Sequence, residues 1–583
     1  MDYVSVILPL KLAWVPVYEV PEALRGVISR GDRVKVPLAG RTEDGVVLDE
    51  EKAPADPARI KSLIGLVPGL ERISPEELEL WRFVAEYYMC SIGEVLKCAY
   101  PSGRVKSEEK GTGKRARKTV SLSPELTKEA FAPSQEDSPA IGRFGAALKK
   151  SGTVLLRGAA DERYPVYRSL IRKALSQGGS VLLLVPEVGM GKDLAKKMEK
   201  EFSGCVLQFS SSTTVAQKRD MAALARKGGP LLIVGTRSSI FLPFKDLSLI
   251  IVDSEQDRSY KQDSPAPRYN ARDCASVLGR IHSCPVLLGS DCPSLETIYN
   301  CTTGRYASMG QEELSPIRDS RLRIIDTAQE RRKNGMRGQL SIKLEEMISE
   351  TLANGNAVCL LRIWGDVAPT VEEVAGRFPD VEVSALETST KSLDGGRIYV
   401  GNIAMTRSLS FPEGTLLAML QADPMLGMGD YRADERSLQM LRRYLSHCRE
   451  GLFVIQTSRS EHPLFESLQK GEDPSTGMLE ERKIFAYPPY TRIIDLVLKD
   501  PSEKRRSFLA EELYRGLSAP GRSKGIVSIS APSPDGQDET AIRLIIEKGK
   551  GAMQLKHQLY AAVLDFERTR KYPGRIKIDV DPD

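Results

Sequence analysis

The residues best suited to chemistry lie just past three short apolar runs between Leu231 and Ser294. LLIVG gives way to Gly235-Thr236-Arg237-Ser238. LSLIIVD ends on Asp253-Ser254-Glu255-Gln256, and VLL runs into Gly289-Ser290-Asp291-Cys292. Runs this short, rich in Ile, Leu and Val and without alternation, predict parallel strands buried on both faces. In open parallel sheets ligands bind beyond the carboxyl ends of the strands, where these polar tips fall. An acidic residue at such a tip suits Mg²⁺. A Gly-Thr-Arg-Ser turn offers backbone amides and a guanidinium to phosphate. The pattern is that of a nucleoside-triphosphate-driven motor, and the next question is whether its working residues are present.

A phosphate-binding loop needs G-x-x-x-x-G-K-[ST] between a strand and a helix. Its amides wrap the phosphates, its Lys neutralises them and its hydroxyl ligates Mg²⁺. The matching position reads Gly158-Ala159-Ala160-Asp161-Glu162-Arg163-Tyr164-Pro165. The second Gly, the Lys and the hydroxyl are absent. Asp161 and Glu162 bring negative charge to the place of a triphosphate, and at ~4 Å even well-screened like charges cost about 1 kcal/mol per pair. Pro165 removes a backbone donor. The GMGK at Gly189–Lys192 follows the wrong strand, lacks the first Gly spacing and ends in Asp193.

The elements that must position these groups follow from the rest of the chain. Its 583 residues exceed one core and predict several domains. A formal charge of +5 permits a local nucleic-acid patch without arguing for one. With no apolar run of 18 residues and no Arg-plus-apolar leader, the expectation is a soluble, cytoplasmic protein with no membrane partner. The nine cysteines form no C-x-x-C pair and only four histidines are present, so no metal site is expected. Residues 1–50 are short apolar pieces punctuated by Pro and Gly, which predicts a β-rich module. Residues 75–100 switch to helical period, with Leu80, Phe83, Val84 and Tyr87 on one face and a second helix from Ile92-Gly93 to before Pro101. GRVKSEEKGTGKRARK holds seven Lys or Arg against two Glu and reads as a solvated tether or, equally, a DNA-phosphate contact. From Ile141 a β-α-β-α order begins: GTVLLRG, YPVYRSLIRKALSQGG, SVLLLVPE and KDLAKKMEKEF. A second α/β set runs through AVCLLRI and RIYVGNIAM.

Several strings together carry a resemblance. YEVPE, GDRVKVP, AEYYMCSIGEVLKCAYP, VLLLVPE, GTRSSIFLPFKDLSLIIVD, SYKQDSPAPRYNARD, VLLGSDCPS, YRADERSLQML and LEERKIFAYPPYTR resemble, in order, the primosomal protein N′ (PriA) family of replication-restart DNA helicases. The resemblance implies an α/β multidomain fold. It comprises a β-rich amino-terminal DNA-binding domain (1–102), a basic linker (103–140) in place of the family's winged helix, which is expected to be missing or vestigial here, two RecA-like parallel-sheet helicase lobes (141–320 and 321–470) and an α+β carboxyl-terminal domain (471–583). It implies a 3′-end pocket around Pro16-Val17-Tyr18 with Gly40 nearby. Tyr18 would stack on a base there or, equally, be a core aromatic. DNA contacts would fall on Gly235, Thr236, Arg237, Ser238, Lys261, Arg268 and Arg272. YPPY (Tyr487–Tyr490) is expected to form a structural corner near a fork-DNA contact.

Set against the family, the losses are selective. Asp-Glu-x-His is replaced by Asp253-Ser254-Glu255-Gln256, which keeps Asp253 but puts Ser254 at the base position. Gly-Ser-Ala-Thr has become Gly289-Ser290-Asp291-Cys292. The Gln-x-x-Gly-Arg-x-Gly-Arg loop that supplies the arginine finger has become Arg442–Arg449, where Arg449 approximates one arginine without the glycines. The eight-cysteine zinc insert is absent beyond Cys359. The remnants are therefore Asp253, Glu255, Gln256 and Arg449, with Gly158, Asp161 and Arg163 as a degenerate nucleotide loop, and none of ATP, Mg²⁺ and Zn²⁺ is expected as a cofactor. With these losses, the resemblance implies a replication-restart protein that binds forked or 3′-ended DNA. It would scaffold primosome proteins, and single-strand-binding protein among possible partners, without ATPase activity. Alternatives are an ATP-dependent 3′→5′ helicase of the same family and an adaptor that has lost DNA binding.

Overall fold

The computed structural model describes residues 2–52, 60–100, 131–310, 321–406, 409–426, 430–448, 451–470, 472–519, 524–572 and 574–583. Most of the basic stretch from 103 falls outside these, as do Arg407, Ser408 and Arg449.

Strands Tyr3–Ile7, Val17–Glu19, Arg33–Leu38, Arg41–Glu51 and Gly65–Leu66 form an antiparallel sheet. Val4, Val6, Val34, Val36 and Val47 fill its core. Two helices follow, Pro75–Tyr87 and Ile92–Ala99. Each begins with a reciprocal cap in which Ser74 or Ser91 accepts from the third helical amide and Glu77 or Glu94 reaches back to the cap amide. Such boxes satisfy two otherwise orphaned donors and fix both helix starts.

The first lobe is a seven-stranded parallel sheet. Its strands lie side by side in the order Ala307–Gly310, Thr153–Arg157, Val286–Ser290, Leu247–Asp253, Ser180–Leu184, Leu231–Gly235 and Val206–Phe209. The three runs singled out in the sequence are strands buried almost throughout, and two of them, Leu247–Asp253 and Val286–Ser290, are direct neighbours. Helices on both faces bury the apolar stripes, as a parallel sheet requires. The helix Ala160–Ser176 buries Tyr167, Leu170, Ile171, Ala174 and Leu175, the stripe expected from its period. The helix Ser138–Leu148 starts the packing on this sheet slightly ahead of Ile141.

The second lobe has six parallel strands in the order Leu322–Asp326, Phe453–Thr457, Leu416–Met419, Val358–Arg362, Ile398–Asn402 and Val383–Ala385. The last domain is an antiparallel sheet built on Thr491–Lys499, Glu539–Glu547 and Ile576–Val580, covered by the helices Glu503–Ser518 and Ala552–Thr569. The α/β multidomain reading, with a β-rich start, two RecA-like lobes and an α+β end, is the architecture observed. No helix among the described residues is long and apolar enough to cross a membrane.

Candidate functional site

The carboxyl ends of the first-lobe strands gather the expected groups. The contents of the nucleotide position differ from those of a motor. Asp253 closes its strand and Arg163 lies one turn into the helix Ala160–Ser176. The Arg163 guanidinium donates to Asp253 Oδ1 from Nη2 at 2.8 Å and from Nε at 3.1 Å. Tyr167, four residues along the same helix face, donates its hydroxyl to the same oxygen at 2.8 Å. Arg163 is 3 % exposed and Asp253 1 %. The carboxylate that would ligate Mg²⁺ is already neutralised by a cation of the chain. Gly289 makes this possible, because a Cβ there would meet the Tyr167 hydroxyl at 1.6 Å.

The loop itself is closed in the same way. Arg163 Nη1 donates to the Gly158 carbonyl at 2.7 Å. The Ala159 amide donates to Glu162 Oε2 at 2.9 Å. That carboxylate lies 2.6 Å from where a Cβ of Gly158, at φ +150°, would stand. A helix N-terminus after a strand is a ready site for phosphate, and here a carboxylate of the same helix takes it. With Lys and hydroxyl both missing, the residues present do not fit a Mg²⁺-triphosphate. No group of three His, Cys, Asp or Glu residues among the described ones is arranged to hold a metal, and Cys359 is buried in the second-lobe core.

The remaining residues of the acidic tip are held by hydrogen bonds and an ion pair within the lobe. Ser254 sits at φ +52°, and the Tyr260 hydroxyl donates to the Asp253 carbonyl at 2.6 Å. Glu255 accepts from the Ser294 amide at 2.7 Å and from the Ser294 and Thr297 hydroxyls at 3.0 Å each, and pairs with Arg272 at 3.2 Å. Burial holds Glu255 above the usual carboxylate range against the pull of Arg272 and these donors. Gln256 bridges Ser290 and Asp291. Asp161 opens the Ala160–Ser176 helix.

The DNA-contact candidates separate into two groups. Thr236, Arg237 and Ser238 stand half-exposed after Gly235, whose missing side chain leaves room for the Ser239 hydroxyl 2.3 Å from the Cβ position. Arg237 braces this turn by donating to the Ser259 carbonyl at 3.1 Å. Gly40 forms an exposed turn at φ +78° with open space around it. By contrast, the Tyr18 ring is buried in the amino-terminal core, its hydroxyl donating to the Pro37 carbonyl at 3.4 Å. Lys261 is buried, donating to the Val580 carbonyl at 2.7 Å and pairing with Asp579 at 2.9 Å. Arg268 donates to the Ile578 carbonyl at 3.2 Å, and Arg272 is held by Glu255, Asp273 and Ser294. SYKQ and RYNARD thus fasten the first lobe to the last strand of the chain. The contact partner is more than 300 residues away, so the local sequence held no sign of it.

A second buried constellation was also invisible in sequence. Glu296 of the first lobe, Arg432 and Glu435 of the second, and Arg482 of the helix Ser475–Ile484 close an alternating ionic ring. Its sides are Arg432–Glu296 at 2.7 Å, Arg432–Glu435 at 3.4 Å, Arg482–Glu435 at 2.7 Å and Arg482–Glu296 at 3.7 Å. Burial pushes Glu296 up, but Arg432, Arg482 and Arg272 together pull it well below the usual carboxylate range. Glu435 also caps the Glu296 helix, accepting from the Leu295 amide at 2.8 Å.

Fold and site together define a multidomain protein with a β-rich amino-terminal domain and two RecA-like lobes, and comparison with known proteins shows what it is similar to. The family described as 3′DNA-binding domain (3′BD) matches residues 5–101. Replication restart protein PriA of Rickettsia felis is 25 % identical over 100 % of this chain and 99 % of its own length. That of Treponema pallidum is 23 % identical over 84 % and 85 %, and that of Bacillus subtilis 26 % over 63 % and 55 %. Among solved structures, RecG bound to a three-way DNA junction aligns at TM-score 0.39 and 12 % identity, covering 70 % of this chain and 52 % of that one. Along its whole length the chain is similar to the replication restart proteins PriA, and residues 5–101 match the 3′DNA-binding domain family.

Proposed function

We propose that this chain is a replication-restart protein that binds forked or 3′-ended DNA and scaffolds primosome assembly without hydrolysing ATP. The observation that carries the reading is the Arg163–Asp253 pair. It occupies the junction of phosphate loop and acidic strand with the chain's own cation, while Glu162 takes the helix N-terminus. A triphosphate entering here would have to displace a buried ion pair and approach a carboxylate. At roughly 4 Å and an effective dielectric near 20, that approach alone costs about 4 kcal/mol per charge pair. The frame that would track DNA remains: the amino-terminal domain matched to the 3′DNA-binding family, and the half-exposed turn Thr236-Arg237-Ser238, whose amides and guanidinium suit strand phosphates. With Lys261 and Arg268 engaged by the last strand of the chain and Arg272 held by Glu255, Asp273 and Ser294 within the first lobe, phosphate contact in the first lobe rests on Arg237 and its neighbours. Primosome proteins, and single-strand-binding protein with them, would dock on the same rigid assembly.

The test is binding of the full chain to a fork with a 3′ leading-strand end, to the same fork without that end, and to blunt duplex, each across a salt series. The reading expects preference for the fork, and affinity falling with salt as phosphate contacts release counterions. Equal, weak binding to all three would favour an adaptor that no longer reads DNA. Fork unwinding fuelled by ATP would favour the helicase.

A further inference from the structure

The helix Ser475–Ile484 ends in the open. Ile484 is 78 % exposed, more than any other large apolar side chain among the described residues, and Phe485 is 60 % exposed. Ala486, at φ +53°, turns the chain immediately afterwards, which leaves Phe485 at a tip. Behind Phe485 the rings form a row. Tyr487 lies 6.5 Å from it at 36°, and Tyr431 is stacked on Tyr487 at 5.0 Å and 19°. Tyr431 is in turn covered by the guanidinium carbons of Arg432 and Arg482, each 5.0 Å from its centroid. Those two arginines belong to the ionic ring, so the row is anchored at its inner end and open at its outer one. Lys483, exposed beside Phe485, forms no ion pair among the described residues.

We propose that Ile484 and Phe485 form a stacking edge that receives an unpaired base at the branch point of forked DNA. This rests on the fork-binding reading above. The chemistry fits one kind of occupant. A flat, exposed ring backed by a fixed aromatic row offers a nucleobase the surface it stacks on, without regard to sequence. The adjacent Lys483 suits the phosphate next to that base, while Glu480 and Glu481, earlier on the helix, disfavour phosphate on the other side. A protein partner fits less well, because two apolar side chains bounded by charged ones fall far short of the roughly 800 Å² per partner of a stable interface.

The experiment uses the full chain and forks carrying 2-aminopurine at the junction, next to the unpaired strand. Binding by the unmodified chain should quench the probe. Phe485→Ala should lose the quench and bind the fork about tenfold more weakly with blunt-duplex affinity unchanged, in the range of one base–aromatic stack. Phe485→Trp should retain both. Phe485→Ala binding the fork as tightly as the unmodified chain would overturn the proposal. Phe485→Leu matching the unmodified chain would also overturn it, since an aliphatic contact or a protein partner needs no ring. If the unmodified chain itself showed no fork preference, the functional reading would fall; if it bound forks and Phe485→Ala did too, only the stacking edge would.

Discussion

Arg163→Met removes the cation that stands where a motor holds magnesium, and its cost follows from burial. Asp253 is almost wholly enclosed, and the substitution leaves its carboxylate with the Tyr167 hydroxyl as the donor on Oδ1. Deleting one partner of a buried ion pair typically costs 3–5 kcal/mol, because the remaining charge stays desolvated. Adding Asp253→Asn removes that charge and leaves an amide oxygen to accept from Tyr167. The double variant should therefore recover at least half of the loss, about 2 kcal/mol. The readout is hydrogen exchange in the strands Thr153–Arg157 and Leu247–Asp253 across a urea series, since local opening reports on this lobe without assuming that the whole chain unfolds at once. Neither variant should gain ATP affinity, because Lys and hydroxyl remain absent from the loop. A loss below about 1 kcal/mol for Arg163→Met, or no recovery in the double variant, would refute the claim that the pair is a desolvated lock.

Other outcomes follow from the same geometry. Glu162→Ala, which uncaps the Ala160–Ser176 helix, should lower first-lobe stability by about 1 kcal/mol in the same exchange assay. Arg482→Met should cost about 3–5 kcal/mol by leaving Glu296 and Glu435 buried with one shared guanidinium. It should raise exchange together in the helices Leu295–Thr302 and Ser475–Ile484; an effect confined to one of them would argue against a ring that joins domains. Lys556 is 2 % exposed and donates to the Tyr87 carbonyl at 3.0 Å. Burial, against the pull of Asp581 and aided by the repulsion of Arg492 and Lys261, pushes its ammonium down to about 8 from 10.5. Between those values the unfolded chain keeps a proton that the folded chain has released, so stability contributed by this group rises with pH. The urea midpoint of the unmodified chain should therefore gain on that of Lys556→Met from pH 7.5 to 9.5, and a flat or falling difference would contradict the assignment.

Much of the frame was legible because parallel strands buried on both faces must be continuous apolar runs. Leu231–Gly235, Leu247–Asp253 and Val286–Ser290 announced themselves in that way, as did the apolar stripe of the Ala160–Ser176 helix. Sequence also showed what the phosphate loop lacked. It did not show what replaced it: Arg163 and Tyr167 share a face through their spacing of four, but only the sheet order brings Asp253 under them, 86 residues beyond Tyr167. The resemblance alone makes the basic residues of SYKQ and RYNARD phosphate contacts. The structure places Lys261 and Arg268 against the strand Ile576–Val580, a partner that local pattern cannot name. Tyr18, equally a stacking or a core residue by sequence, is enclosed in the core. Phe485 drew no notice because an apolar residue at a helix end is usually covered; only its exposure and the row behind it mark it out.

The central claim is that the nucleotide position is filled by the chain itself while the DNA-binding frame persists. It is tested most directly by measuring ATP binding and hydrolysis with and without forked DNA, in the same preparation whose fork affinity is determined. The account predicts fork binding with a salt-dependent affinity and no fork-stimulated hydrolysis. Robust turnover that forked DNA stimulates and Asp253→Ala abolishes would contradict it.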